Sequence, residues 1–334
     1  MAYTVLRGEF VIRYADAPRQ GPEPDGDTVK FRPDTPALLR ALPRRSGVPA
    51  DLGPRGVSVR LEAVDALETH FGDAHQELVG ATAARELLLA ELGFTGVGFF
   101  PDQPNKVEFA DQDWLRGHVL SNGIDANGRV IGFVYPGDPA CSDGASVFVD
   151  EALVDGSVNA LLLVRGLAYP AFYGTLPATL RVHLAAASRA ARAAEPALGI
   201  WPRATGDPNE AAQVTGLAQL QTLVLWPKLF RRVVPYLAAG FTDFDDFDAW
   251  LRADPVHRDD ELYLLDRLES GNMHDVVHAS GDSIQMTVWP EDFVIEPDPA
   301  ATGAGTGPTL PQVGDAGIIA GAAGPHRHPL DSKP

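Results

Sequence analysis

The sequence predicts an α+β protein: a small closed barrel of five short strands with helices between and after them, then a smaller, mainly helical segment with a few strands. Three observations predict it. Short strand-like runs recur through the first 135 residues, separated by turn chemistry. Helical periodicity interrupts them once and follows them twice. The charge balance then changes near residue 203: residues 1–203 hold 19 Lys and Arg against 25 Asp and Glu, a net of −6, and residues 204–334 hold 8 against 20, a net of −12.

The elements follow in order. Residues 5–14 read as a strand, and Gly21-Pro22-Glu23-Pro24-Asp25-Gly26-Asp27 as loop and turn. Residues 28–31 are a short strand, and the Pro- and Arg-rich residues 32–56 an inserted loop. Val57, Val59, Leu61 and Ala63 alternate with Ser58, Arg60 and Glu62, the period of a half-buried strand. Residues 74–92 turn helical, with Leu78, Ala81, Leu88 and Leu92 on one face and Gly93 as the stop. Residues 97–100 and 130–135 are further strands, the latter preceded by the turn Asp125-Ala126-Asn127-Gly128. Ser157 can cap a helix through Leu161, Val164 and Leu167, and Thr175-Leu176-Pro177 opens an alanine-rich helix that stops near Pro196. Five short strands with inserted helices fit an OB-fold barrel.

Residues 203–209 read as a linker. Beyond it, Leu217, Leu220 and Val224 predict a helix, residues 247–251 and 261–268 two more, and residues 284–288 and 293–295 two strands. The expected organisation is a barrel domain at 1–203, an acidic helical domain at 204–297 and a disordered tail at 298–334, where Gly, Ala, Pro and Thr prevail.

A chain of 334 residues with 45% hydrophobic residues supports about two domains. One cysteine, Cys141, excludes an intrachain disulfide. The first residues show no secretory h-region, and no run approaches the roughly 20 apolar residues of a membrane span, so a soluble cytoplasmic protein is expected. A formal charge of −18 disfavours simple phosphate-backbone binding, which needs Lys and Arg.

Four clusters carry chemistry: Asp25-Gly26-Asp27-Thr28, residues 59–68, residues 125–129 and residues 158–168. Hydrolysing a phosphodiester needs activated water, stabilised charge on the phosphoryl oxygens and alignment. Carboxylates can take a proton from water or hold a hard cation, and arginine forks match two phosphate oxygens. Each cluster has a plainer reading. Asp25 and Asp27 are a common Asp-Gly turn, Arg60 and Glu62 a solvated strand face, Glu68 an acidic residue near a helix start, and Arg129 a surface residue after a turn. His70, His75 and Glu77 lack the spacing of a zinc site, and His274 with His278 reads as a surface pair. In residues 243–248, Phe244 and Phe247 read as packing inward from an acidic helix start.

Taken in order, the motifs resemble those of the staphylococcal nuclease-like, or thermonuclease, family: D-G-D-T at Asp25–Thr28, R-L-x-x-x-D-x-x-E from Arg60 to Glu68, and D-x-x-G-R at Asp125–Arg129. The resemblance spans about residues 5–203 and runs on through residues 158–173 to Gly199-Ile200-Trp201. It implies calcium held by the carboxylates of Asp27 and Asp65 and the backbone carbonyl of Ala66. It implies Arg60 and Arg129 as the phosphate clamp, Glu68 as general base and Tyr173 beside the substrate. Ala66-Leu67 stands where the family commonly has Thr-Pro; a backbone ligand survives that change. The implied activity is calcium-dependent hydrolysis of DNA or RNA, with single strands favoured. The alternative is an OB-fold module that binds nucleic acid or a protein without cleaving it. The acidic segment after residue 203 could restrain the site, dock a basic partner or serve solubility alone.

Overall fold

The structure, a computed structural model, describes residues 2–296, and the tail expected at 298–334 lies outside them. The chain opens with β1 (Ala2–Val11), β2 (Thr28–Pro33) and β3 (Val57–Leu61), then β4 (Ala63–Ala66) and α1 (Leu78–Glu91). A hairpin of β5 (Gly98–Phe100) and β6 (Gln103–Phe109) precedes β7 (Trp114–Ile124) and β8 (Val130–Pro136). β9 (Ser146–Phe148), α2 (Glu151–Asp155), α3 (Val158–Val164), β10 (Ala168–Ala171) and α4 (Ala178–Ala193) complete this part.

Five strands close on themselves in the order β1-β2-β3-β8-β7, because β1 pairs with β2 along Gly8–Val11 while it pairs with β7 along Thr4–Val11. The pairings are antiparallel except β3 with β8, which is parallel. A mixed five-stranded barrel with helices is the α+β arrangement that the sequence predicts. Its strands bury Val5, Phe10, Phe31, Val59, Val119 and Phe133 in one apolar core.

β7 is the longest strand and has no counterpart among the strands expected from sequence. Two glycines and the polar Arg116, His118, Ser121 and Asn122 hide its alternation. Gly117 is needed there, since a Cβ would sit 2.3 Å from the Phe10 ring and 2.7 Å from the Tyr135 carbonyl. The insertion at 32–56 is ordered: Leu39 and Leu42 are buried, and Arg44 bridges to Ile124. In α1, Glu77 caps the N-terminus by accepting from the Gly80 amide, and Leu78 faces solvent, not the core as expected. Ser157 caps α3 as expected.

Between β3 and β4 the chain kinks at Ala63, a non-glycine residue at φ 70°. The kink takes β4 off the barrel to pair with β10, with Asp65 opposite Tyr169. Asn159 of α3 locks this junction. Its Oδ1 accepts from the Val134 amide at 3.0 Å, and its Nδ2 donates to the carbonyls of Glu62 at 2.8 Å and Gly132 at 3.1 Å.

Residues 204–296 contain β11 (Ala212–Gln213), α5 (Leu217–Leu220), α6 (Pro227–Ala238), α7 (Phe247–Arg252), β12 (Glu261–Leu264) and β13 (Glu269–Asn272). α8 (Met273–Val276), β14 (Val277–Ser280), β15 (Ser283–Met286) and β16 (Phe293–Ile295) follow. This segment is less helical than expected, with two three-stranded sheets, β11-β15-β14 and β13-β12-β16. Residues 261–268 are not a helix. Leu262 and Leu264 alternate inward and pair with β16, and the chain turns at Leu268, φ 55°. The helix expected from 217 to 224 ends at Leu220, and Val224 bridges to Ala204. Phe244 and Phe247 pack inward as expected.

Trp226, Phe230 and Tyr236 share a core with Leu67, Tyr169, Ile200 and Trp201, so the two segments are joined by common apolar burial. Among the described residues, no helix is long and apolar enough to cross a membrane.

Truncating Asn159 strips the buried Val134 amide and the Glu62 carbonyl of this partner, while the Gly132 carbonyl keeps the Glu62 amide. Asn159→Ala is expected to cost about 3 kcal/mol of stability, at roughly 1–3 kcal/mol for each orphaned group with partial relief by water. Urea denaturation measures it. A loss within the roughly 0.5 kcal/mol expected of an exposed substitution would contradict this role.

Candidate functional site

Gly26 brings the first site residues into place. A Cβ at this position would lie 2.5 Å from Cβ of Ala66 and 2.7 Å from Cβ of Ala84, so only glycine lets the Asp25–Asp27 turn pack on β4 and α1. Asp27 is buried there: its Oδ2 accepts from the Ala66 amide at 2.9 Å, and its Oδ1 accepts from Arg60 and the Thr28 hydroxyl. β3 delivers Arg60, and the Ala63 kink returns the chain so that Asp65 reaches the same guanidinium. Arg60 donates through Nη1 to Asp27 and through Nη2 to Asp65, bridging the two carboxylates.

Glu68 follows β4. Its backbone is held in both directions by Gln76, whose amide donates to the Glu68 carbonyl at 2.9 Å and whose Oε1 accepts from the Glu68 amide at 3.1 Å. Gln76 Nε2 donates to the Leu225 carbonyl at 2.9 Å, tying this loop to the segment that leads into α6. Arg129 starts the approach to β8 from the expected turn. Asp125 organises that turn, accepting from the amides of Asn127 and Arg129 and from Arg129 Nε at 2.7 Å.

One cavity of about 490 Å³ has Asp27, Arg60, Glu68, Arg129 and Tyr173 on its wall. Of the seven residues singled out by sequence, Asp27, Arg60, Asp65 and Ala66 are joined by direct hydrogen bonds. Glu68 joins them through a shared arginine, described next, and Arg129 and Tyr173 line the same space. The contact that Ala66 makes here is through its amide, which donates to Asp27.

That shared arginine is Arg231 of α6, a residue absent from the sequence-based set. Its Nη2 donates to both oxygens of Asp65, at 3.1 and 3.0 Å, and its Nη1 donates to Glu68 Oε1. α6 carries Lys228, Arg231 and Arg232 at spacings of three and four, hence on one face, and all three line the cavity. The opposite side buries Leu229, Phe230, Val233 and Tyr236. Buried Asp260 accepts from Arg232 and pairs with Lys228, which leaves Arg231 as the cation of this face that engages Asp65 and Glu68. What residues 204–296 present to the cavity is therefore cationic, although the segment is acidic overall. The signal was legible as a Trp-Pro start and apolar residues at 229, 230, 233 and 236–237. Pro235 inside the helix interrupts the pattern.

The electrostatics follow from burial and charge. Burial pushes the Glu68 carboxyl up to about 7; Arg231 opposes this, and the negative Asp25, Asp27 and Asp65 reinforce it. Burial, then the charge of Asp27, raises Asp25, whose Oδ1 accepts from the Gly26 amide and the Thr69 hydroxyl. Burial also acts against ionisation of Asp65, but Arg231 and Arg60 overcome it and hold that carboxyl below its ordinary value. Burial acts against the charge of Arg231 as well, yet Asp65 and Glu68 keep it firmly protonated.

Other candidates from sequence have separate partners. His70 faces Glu23 at 3.1 Å, His75 bonds the Gln76 carbonyl, and Glu77 caps α1 and pairs with Arg203. His274 is not a surface residue; it packs against Asp259 and Asp275. Among the described residues, no group of three or more His, Cys, Asp and Glu side chains is arranged to hold a metal ion.

A second polar cluster borders the cavity. Glu62 Oε1 accepts from Asn122 Nδ2 at 3.1 Å, and the same amide nitrogen donates to the Tyr3 hydroxyl at 3.0 Å. Glu62 Oε2 and Asn122 Oδ1 are buried acceptors without a donor. A proton on Glu62 would supply one, and burial pushes this carboxyl up to about 6 from 4.5.

No protein-family model matches this chain, and no curated protein is significantly similar to it.

The Glu62 shift fixes a pH signature. Because the folded-state value lies above the unfolded one, the fold holds this proton more tightly. Its contribution is present below about pH 4.5 and is lost as pH rises through about 6. Glu62→Gln removes the dependence, so its stability relative to wild type should improve by roughly 2 kcal/mol between pH 4 and pH 7.5, at 1.36 kcal/mol per pKa unit. Urea titrations at both pH values test this, and a difference that does not change with pH would contradict it.

Proposed function

We propose that this cavity is the active site of a nuclease related to the staphylococcal nuclease-like family, built on an OB-type barrel and hydrolysing phosphodiester bonds of DNA or RNA. The observation that carries the reading is Glu68. Its carboxyl, pushed up to about 7, shares one cavity wall with Arg60 and Arg129 and is tied through Arg231 to Asp65. A carboxylate with a value near neutrality is ionised in part at pH 7 and basic enough to take a proton from attacking water.

In this reading a water oxygen bonds to phosphorus as Glu68 accepts its proton, and the bond from phosphorus to the leaving sugar oxygen breaks. Arg60 and Arg129 hold the phosphoryl oxygens, since each guanidinium offers a planar fork of donors. Asp125 supports the orientation of Arg129 through its 2.7 Å ion pair. Tyr173 and Phe71 offer aromatic faces to unpaired bases, which favours single-stranded substrates.

Calcium is the cofactor that the resemblance implies. The donors suit it in chemistry: Asp27 and Asp65 are hard oxygen ligands, and a guanidinium already bridges them, so the place between them draws a cation. Asp27, Asp65 and the Ala66 carbonyl would hold the ion. When bound, it would polarise a phosphoryl oxygen.

A second reading has its own support. Glu68 and Asp65 are both engaged by Arg231, an arrangement equally suited to a module that binds nucleic acid or a protein without cleaving. Cleavage of a fluorescent single-stranded DNA, with calcium and with chelator, separates the two. The enzyme reading expects calcium-stimulated cleavage, reduced about 100-fold or more by Glu68→Gln and by about 100- to 1,000-fold in Arg129→Ala. No stimulation by calcium, or cleavage indifferent to both substitutions, leaves the binding module.

A further inference from the structure

We infer that Arg231 is a built-in competitor for the divalent cation, and that α6 thereby sets the metal affinity of the site. The inference rests on the calcium site proposed above and adds to it a residue from outside the barrel.

Three observations carry it. First, Asp65 has both carboxylate oxygens engaged by one Arg231 nitrogen, at 3.1 and 3.0 Å, while Oδ1 also accepts from Arg60. A cation that binds Asp65 must therefore take an oxygen from a guanidinium. Second, Arg231 also donates to Glu68, so one side chain neutralises a carboxylate proposed for the metal and the one proposed for water. Asp65 is 1% exposed and cannot turn to solvent for compensation, so some cation must stay beside it. Third, the competitor is anchored from outside. Lys228, three residues before Arg231, and Arg232, the residue after it, are held by buried Asp260, and Phe230 is buried in the shared core. Arg231 is thus delivered to the carboxylates by a fixed helix.

Arg60 also contacts Asp65, but it comes from β3 beside the carboxylates themselves and bridges Asp65 to Asp27. Arg231 bonds Asp65 and Glu68 and leaves Asp27 to Arg60. At Asp65 a metal therefore meets both guanidiniums, Arg60 from within the barrel and Arg231 from α6, and Arg231 is the one contributed from outside the barrel. A divalent ion brings two charges where the guanidinium brings one. It can displace Arg231, but with a weaker apparent affinity than an unguarded site would show.

The test is calcium binding to the full chain by isothermal titration calorimetry, without nucleic acid. Arg231→Gln should bind calcium roughly ten-fold or more tighter than wild type, within the range of about 5- to 150-fold usual for two coupled ligands. Adding Asp27→Asn should abolish the gain and so locate it. Equal or weaker binding in Arg231→Gln, a gain that survives Asp27→Asn, or no calcium bound by any of the proteins would overturn the inference. Circular dichroism checks the fold. If Arg231→Gln does not fold, Arg231→Lys, which keeps one charge but loses the fork, decides instead. It should bind calcium about three-fold tighter, and no gain overturns the inference. Cleavage is scored apart. Cleaving protein with unchanged metal affinity sinks this inference alone, whereas tightened metal binding without cleavage sinks the nuclease reading alone.

Discussion

Two carboxylates buried side by side, Asp27 and Asp65, impose the constraint on which the rest of this structure depends. Buried negative charges at such proximity persist only if cations are held against them. Arg60 bridges the pair from within the barrel, and Arg231 covers Asp65 and Glu68 from α6. The barrel, the kink at Ala63 and the glycine at 26 bring the carboxylates together. Residues far along the chain then stabilise them. The ion pair from Arg231 to Asp65 spans 166 residues, so this site links the order of the first segment to the folding of the second.

The second segment follows the same logic. Its helix α6 carries three like charges on one face, which would oppose helix formation in isolation. Asp65 and Glu68 on one side and Asp260 on the other neutralise that face, while Trp226, Phe230 and Tyr236 bury the rest. Charge and apolar packing thus agree on one placement of the helix, and that consistency is what specifies it.

Legibility from sequence differed between the two halves of the site for physical reasons. Asp27, Arg60, Asp65, Glu68 and Arg129 stand in short motifs whose order carried information, the strands at 28–31 and 57–61 alternated cleanly, and the apolar run at 130–135 followed a turn. β7 stayed hidden because glycines and polar side chains face crowded or polar ground there. Arg231 stayed hidden because its partners are distant in sequence and because Pro235 disguises its helix. The expected helix at 261–268 became β12 and a turn because Leu262 and Leu264 found partners on β16, a tertiary preference that a local pattern does not contain. Acidity of the second segment was visible in composition. That its cations face the cavity was a matter of packing alone.

The most direct test of this account is the coupling between Asp65 and Arg231. A double-mutant cycle on folding stability, with Asp65→Asn and Arg231→Gln singly and together, isolates their mutual interaction. A coupling of about 1 kcal/mol or more is expected, as for buried partners in one ionic network. Additivity within roughly 0.5 kcal/mol would contradict it, because the two groups would then not depend on each other.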